Sequence, residues 1–111
     1  MKELYLVLKT SPEAYRTLEE IRAAGFNATV LSAESLRRAV DYYPEEHHFF
    51  TLRHLEKAEE ISETILCLFV LPDAKVEEVK ETIRRYTNYF RDIKGFMYSR
   101  TIEDYEGSLK N

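Results

Sequence analysis

The run TILCLFVLP, Thr64 to Pro72, constrains the fold more than any other stretch of the chain. In an extended strand successive side chains point to opposite faces. Ile65, Cys67, Phe69 and Leu71 then share one face, and Leu66, Leu68 and Val70 share the other. Both faces are apolar, so the strand calls for cover on both sides. A chain of 111 residues, 44% hydrophobic and 32% charged, suits one domain with a core of its own. It holds no apolar run of about 18 residues, so no membrane span is expected. The start, Met-Lys-Glu followed by an alternating strand pattern, does not read as a signal peptide. Cys67 is the single cysteine and has no partner for an intramolecular disulfide, which points to a reducing cytoplasm.

Around this strand the pattern reads strand, helix, strand, long connection, strand, helix, strand. ELYLVLK (Glu3 to Lys9) alternates, with Leu4, Leu6 and Leu8 on one side and Tyr5 and Val7 on the other. A helix follows, capped by Ser11 with Pro12 at its first position and an apolar stripe of Ala14, Leu18 and Ile21. Gly25 suits the left-handed residue that ends it. FNATVL (Phe26 to Leu31) reads as the second strand. After the third strand, Asp73 is expected to cap a helix running to about Tyr89, with a buried stripe of Val76, Val79, Ile83 and Tyr86. Residues 88 to 94 connect it to a last strand, FMYSRTIEDY, preceded by Gly95.

Residues 33 to 62 form the long connection. SAESLRRAV suits a short helix with a Ser cap and apolar Leu36, Ala39 and Val40; Pro44 breaks it. Leu52, Leu55, Ala58 and Ile61 again have helical spacing. Alternatively, the second strand runs past Ser32 and the segment makes a hairpin-like excursion. A connection of this length in a small domain is usually functional, and its aromatic content argues against disorder.

The β-α-β-β-α-β order is that of the ferredoxin-like split βαβ fold, an α+β class with a four-stranded antiparallel sheet carrying both helices on one face. Its other face should be polar, yet Tyr5, Val7, Leu66, Leu68 and Val70 make it apolar. An exposed apolar sheet face is costly and prone to aggregate. Either the long segment folds back over it or another subunit covers it; the expectation is a homo-oligomer whose sheet faces pack together.

Three stretches resemble the PII-type signal proteins: LFVLPDAKVEEVKETI (Leu68 to Ile83), LVLKTSPEAYRTLEEIRAAGFNATVLSAES, and KGFMYSRTIEDYEG (Lys94 to Gly107). The resemblance spans the chain except residues 36 to 62. It implies a compact trimer that binds small-molecule effectors between subunits. It also implies a loop between the second and third strands, here residues 33 to 62, that contacts a partner protein. The sequence departs from the family where nucleotide-binding members place a Gly-rich loop after the second helix. Here that place holds YTNYFRDIKG, with glycine only at Gly95. The family's Arg-Thr-Gly-Glu-like tail is replaced by YEGSLKN. A second trimeric family of the same fold, the CutA-type divalent-metal tolerance proteins, is less similar.

Two sets of residues carry candidate chemistry. For an effector, Arg37, Arg38, Arg84, Arg85 and Arg100 could hold phosphate or carboxylate groups, and Tyr42, Tyr43, Phe49 and Phe50 could stack on a ring. For the CutA-like alternative, His47, His48 and His54 with Glu45 and Glu46 are suitable metal ligands. Their spacing is poor, since His47 and His54 are about 10 Å apart by helical rise and adjacent His47 and His48 diverge. No cofactor is named by any motif. Cys67 in mid-strand suits an inert thiol, and no nucleophile elbow, metalloprotease helix or P-loop lysine is present, so no enzyme activity is expected. The net charge of −4 disfavours nucleic-acid binding. A ligand-independent protein-binding adaptor is the remaining reading.

Overall fold

The computed structural model describes residues 1–42 and 63–108. They form an α+β domain with strands β1 (Lys2–Lys9), β2 (Thr29–Ala33), β3 (Thr64–Leu71) and β4 (Gly95–Thr101). The helices are α1 (Pro12–Ala23), α2 (Leu36–Tyr42) and α3 (Asp73–Thr87). The sheet has the order β2-β3-β1-β4, and each neighbouring pair is antiparallel. This order is compatible with a ferredoxin-like fold. No helix among the described residues is long and apolar enough to cross a membrane.

The alternation expected in β3 is present: Ile65, Cys67, Phe69 and Leu71 are buried, and the residues between them are half-buried. They join Leu4, Leu6 and Leu8 of β1, Ala14 and Ile21 of α1, and Val76, Val79 and Ile83 of α3 in one core. α1 and α3 lie side by side on that face of the sheet. Burying each Leu, Val or Phe contributes roughly 1.5–3 kcal/mol before the entropy of ordering the chain is counted.

α1 begins as its sequence dictates, with Ser11 Oγ accepting from the Ala14 N–H at 3.0 Å and Pro12 in the first turn. Thr17, rather than Leu18, is the fully buried member of its middle turn, because the Thr17 hydroxyl donates to the Glu13 carbonyl at 2.9 Å and needs no water. Leu18 packs at the core's margin. Gly25 has φ 95°, the left-handed value that turns the chain out of the helix.

β2 starts at Thr29, not Phe26, and runs to Ala33. The Asn27 side chain accepts from the Ala28 N–H at 2.9 Å, a local turn that competes with strand pairing. Phe26 packs against the core instead. The strand runs one residue past Ser32 and then enters α2, the short helix that the first reading expected. There Ser35 Oγ accepts from the Arg38 N–H at 3.2 Å and donates to Glu63 Oε2 at 3.0 Å, so one hydroxyl caps the helix and ties it to the approach to β3. The expected Pro44 break and the helical spacing from Leu52 to Ile61 lie outside the described residues.

Asp73 does not cap α3. Pro72 occupies the cap position without a side-chain bond, and the Asp73 carboxylate meets the Met1 amine at 2.9 Å. That amine holds its carboxyl below the usual carboxylate range. α3 ends at Thr87, short of Tyr89, because Asn88, Tyr89 and Phe90 all have positive φ (52°, 56° and 61°). Thr87 replaces Tyr86 on the buried stripe, while the half-exposed Tyr86 donates its hydroxyl to Glu20 of α1 at 3.1 Å. β4 stops at Thr101, since β1 begins opposite it; Ile102 then donates to the Met1 carbonyl at 3.0 Å.

Candidate functional site

The register of the strands builds an apolar face on the side of the sheet away from α1 and α3, which those helices leave open. Tyr5 stands opposite Leu68 on β3 and Tyr98 on β4; Val7 stands opposite Leu66 and Phe96; Glu3 stands opposite Val70 and Arg100. Leu31 of β2 adjoins Leu66 on the same face. Side chains directly opposite one another in an antiparallel pair touch. Tyr5 and Tyr98 accordingly stack with centroids 5.0 Å apart, and Tyr98 stacks in turn on Phe96 at 6.4 Å. Phe96 and Tyr98 remain 54% and 50% exposed. At the end of this ladder Arg100 Nε donates to Glu3 Oε1 at 2.6 Å. The carboxylate raises the Arg100 pKa, and partial burial together with Glu3 raises that of the Tyr5 phenol.

The arginines expected to hold an effector lie in three places. Arg37 and Arg38 are on α2; Arg37 is highly exposed and faces Asp41 at 3.9 Å. Arg84 and Arg85 are on α3. Arg84 donates to Glu77 at 2.8 Å and Glu81 at 2.7 Å, which lowers the pKa of Glu77 and raises its own. Its charge is already matched on the helix surface, while Arg85 is exposed. Arg100 alone lies on the open face. Tyr42 is the last residue of α2. Tyr43, Phe49 and Phe50 lie outside the described residues, as do the metal-ligand candidates His47, His48, His54, Glu45 and Glu46. Among the described residues no group of three His, Cys, Asp or Glu could hold a metal ion.

Sequence reasoning missed the aromatic ladder as a unit. Its signal was the alternation of Phe96, Tyr98 and Arg100, but only the register places them beside Glu3, Tyr5 and Val7.

The turn after α3 is closed by its own hydrogen bonds. The buried Thr87 hydroxyl donates to the Ile83 carbonyl at 2.7 Å and accepts from the Phe90 N–H at 3.1 Å. The N–H groups of Tyr89, Arg91 and Asp92 go to the carbonyls of Arg84, Asn88 and Thr87. These donors are spent within a left-handed turn and do not form a phosphate cradle. Two grooves flank the β2 edge. One, of about 550 Å³, lies between residues 24–29, the end of β3, Lys75 and Tyr105. The other, of about 360 Å³, lies between α1 and β2 and is lined by Leu18, Phe26 and Val30. Comparison with protein-family models and with curated proteins gives no match for the chain.

Proposed function

We propose that this chain is a PII-like regulatory protein with the split βαβ, ferredoxin-like topology, a trimer that takes a small-molecule effector at its subunit boundaries. Residues 33–62 contact a partner protein. The observation that carries this reading is the open sheet face: an apolar and aromatic surface over β1, β3 and β4 that the described helices leave uncovered. The excursion between β2 and β3 supports it too, since Ser35 and Glu63 hold its two ends together. The effector differs from one held by a Gly-rich loop, because the turn after α3 keeps its N–H groups for itself.

Thermal-shift screening against nucleotides, cyclic dinucleotides and carboxylic-acid metabolites tests the effector. A saturating ligand at a hundredfold its Kd stabilises by about 2.7 kcal/mol. No shift with any of them, in a protein that runs as a single chain on light scattering, would remove the reading. The same left-handed turn favours a second reading, an adaptor that docks its partner without a ligand. Capture of the partner from lysate with and without metabolites separates the two, since an effector-controlled protein changes its capture with ligand.

A further inference from the structure

Two apolar features of the described residues match one another without touching. α2 turns Leu36 and Val40, four residues apart and so on one face, outward at 81% and 60% exposure. Arg37 and Asp41 stand beside that stripe, paired along the helix at 3.9 Å. The counterpart is the groove of about 360 Å³ between α1 and β2. Tyr15, Leu18, Phe26 and Val30 line it, and Val30 keeps half of its surface exposed. Glu19 and Arg22 line it too; both are exposed, and Arg22 Nε donates to Glu19 at 3.2 Å. α2 does not fill the groove of its own chain. None of its residues lines that groove, and Ser35 ties its start to Glu63, past the other end of β2.

We propose that α2 of one copy of the chain seats Leu36 and Val40 in the α1–β2 groove of the next copy. The proposal rests on the oligomeric reading above and adds a contact between its subunits. The two surfaces differ, so the contact is head-to-tail, and repeated rotation closes it into a ring. Length suits it. Leu36 and Val40 are about 6 Å apart by helical rise, and the α1 wall of the groove, Tyr15 to Arg22, spans about 10 Å. Apolar burial supplies the attraction. Charge sets the direction. Along α1 the groove's charges read acidic then basic, Glu19 to Arg22; along α2 they read basic then acidic, Arg37 to Asp41. With the two helices parallel, each charge meets its opposite. With them antiparallel, Glu19 would meet Asp41 and Arg22 would meet Arg37. Such complementarity fixes register more than it adds affinity.

Two charge exchanges test the seat. E19R/R22E and R37D/D41R each keep the ion pair of their own helix and the net charge, while reversing one side of the contact; circular dichroism checks that the fold is retained. The dissociation constant of the assembly is read by sedimentation over a dilution series. Each exchange alone is expected to raise it about tenfold, and the two together to return it to within about twofold of the unsubstituted protein. Loosening that the combination does not relieve would overturn the proposal. An assembly that neither exchange loosens would overturn it too, and leave the oligomer standing on other contacts. A single-chain mass for the unsubstituted protein at micromolar concentration would overturn both the contact and the oligomer. The other occupant open to the groove is residues 43–62 of the same chain, and thiol labelling of V30C separates the two. On the proposal, V30C reacts freely in the dissociated chain and slows about tenfold or more on assembly, while the buried Cys67 stays unlabelled. Protection that persists in the dissociated chain would give the groove to residues 43–62 and overturn the proposal.

Discussion

Gly95 opens β4 against the backbone of β1. A Cβ there would lie 2.0 Å from the Val7 carbonyl oxygen and 3.1 Å from Leu8 Cα, so the strands must part to admit one. Gly95→Ala should cost about 1–3 kcal/mol or more, as overpacking does, read from the urea midpoint of unfolding. Thr87 is a polar residue at full burial whose single hydroxyl serves two backbone groups. Thr87→Val keeps the shape but strands the Phe90 N–H, at an expected cost of about 1–3 kcal/mol by the same measurement. Burial pushes the Cys67 thiol up to about 11, and the side chain has no exposed surface. A thiol reagent at pH 8 should leave the folded protein unlabelled for as long as the urea-unfolded chain takes to label fully. Rapid labelling of the folded form would mean that β3 opens.

At the scale of elements, local chemistry was legible and long-range chemistry was not. Ser11, Pro12 and Gly25 act within a few residues of themselves, and α1 starts and ends where they direct. The start of β2 was misplaced because Phe26 to Leu31 has strand composition throughout, while Asn27 spends its side chain on the next amide. Asp73 reads as a cap, yet its partner is the amine at the far end of β1, brought there only by the sheet. This pair makes a prediction about pH. The amine depresses the Asp73 pKa in the folded chain, so its stabilisation is complete above the ordinary aspartate value of about 3.9 and fades as pH falls through the lower folded value. Asp73→Asn should therefore be less stable than the parent at pH 7, by a small margin since the pair is exposed. The two unfolding curves should converge below about pH 4. A gap that persists at pH 2 would assign the effect to something other than this charge.

The whole molecule raises the question of what covers the open face. That β1 and β3 are apolar on both sides was visible from their alternation. The stacked ladder of Tyr5, Tyr98 and Phe96 was not, because neighbours across strands are set by register and not by spacing along the chain. The arginines expected to hold an effector between subunits lie on α2, α3 and β4 of one chain, and Arg84 is held by Glu77 and Glu81. A charge at the centre of the ladder tests the cover directly. On the proposed oligomeric reading, Tyr98→Lys lowers the mass measured by light scattering at micromolar concentration to that of one chain, with the circular dichroism of the fold retained. An unchanged oligomer would place its contacts elsewhere.

The tie at the mouth of the excursion has a consequence of another kind. Glu63 accepts from Ser35 through its side chain at 3.0 Å and from the Thr10 N–H through its carbonyl at 2.9 Å, so the departure from β2 and the return to β3 are pinned to the body of the domain. With both ends fixed, doubling the length between them costs only about 0.6 kcal/mol in closure entropy. Insertions, deletions or wholesale exchange between those anchors need not disturb one rung of the sheet. Drift in lineages carrying such a domain should accordingly concentrate there, while the scaffold changes slowly around Leu6, Cys67 and Phe69.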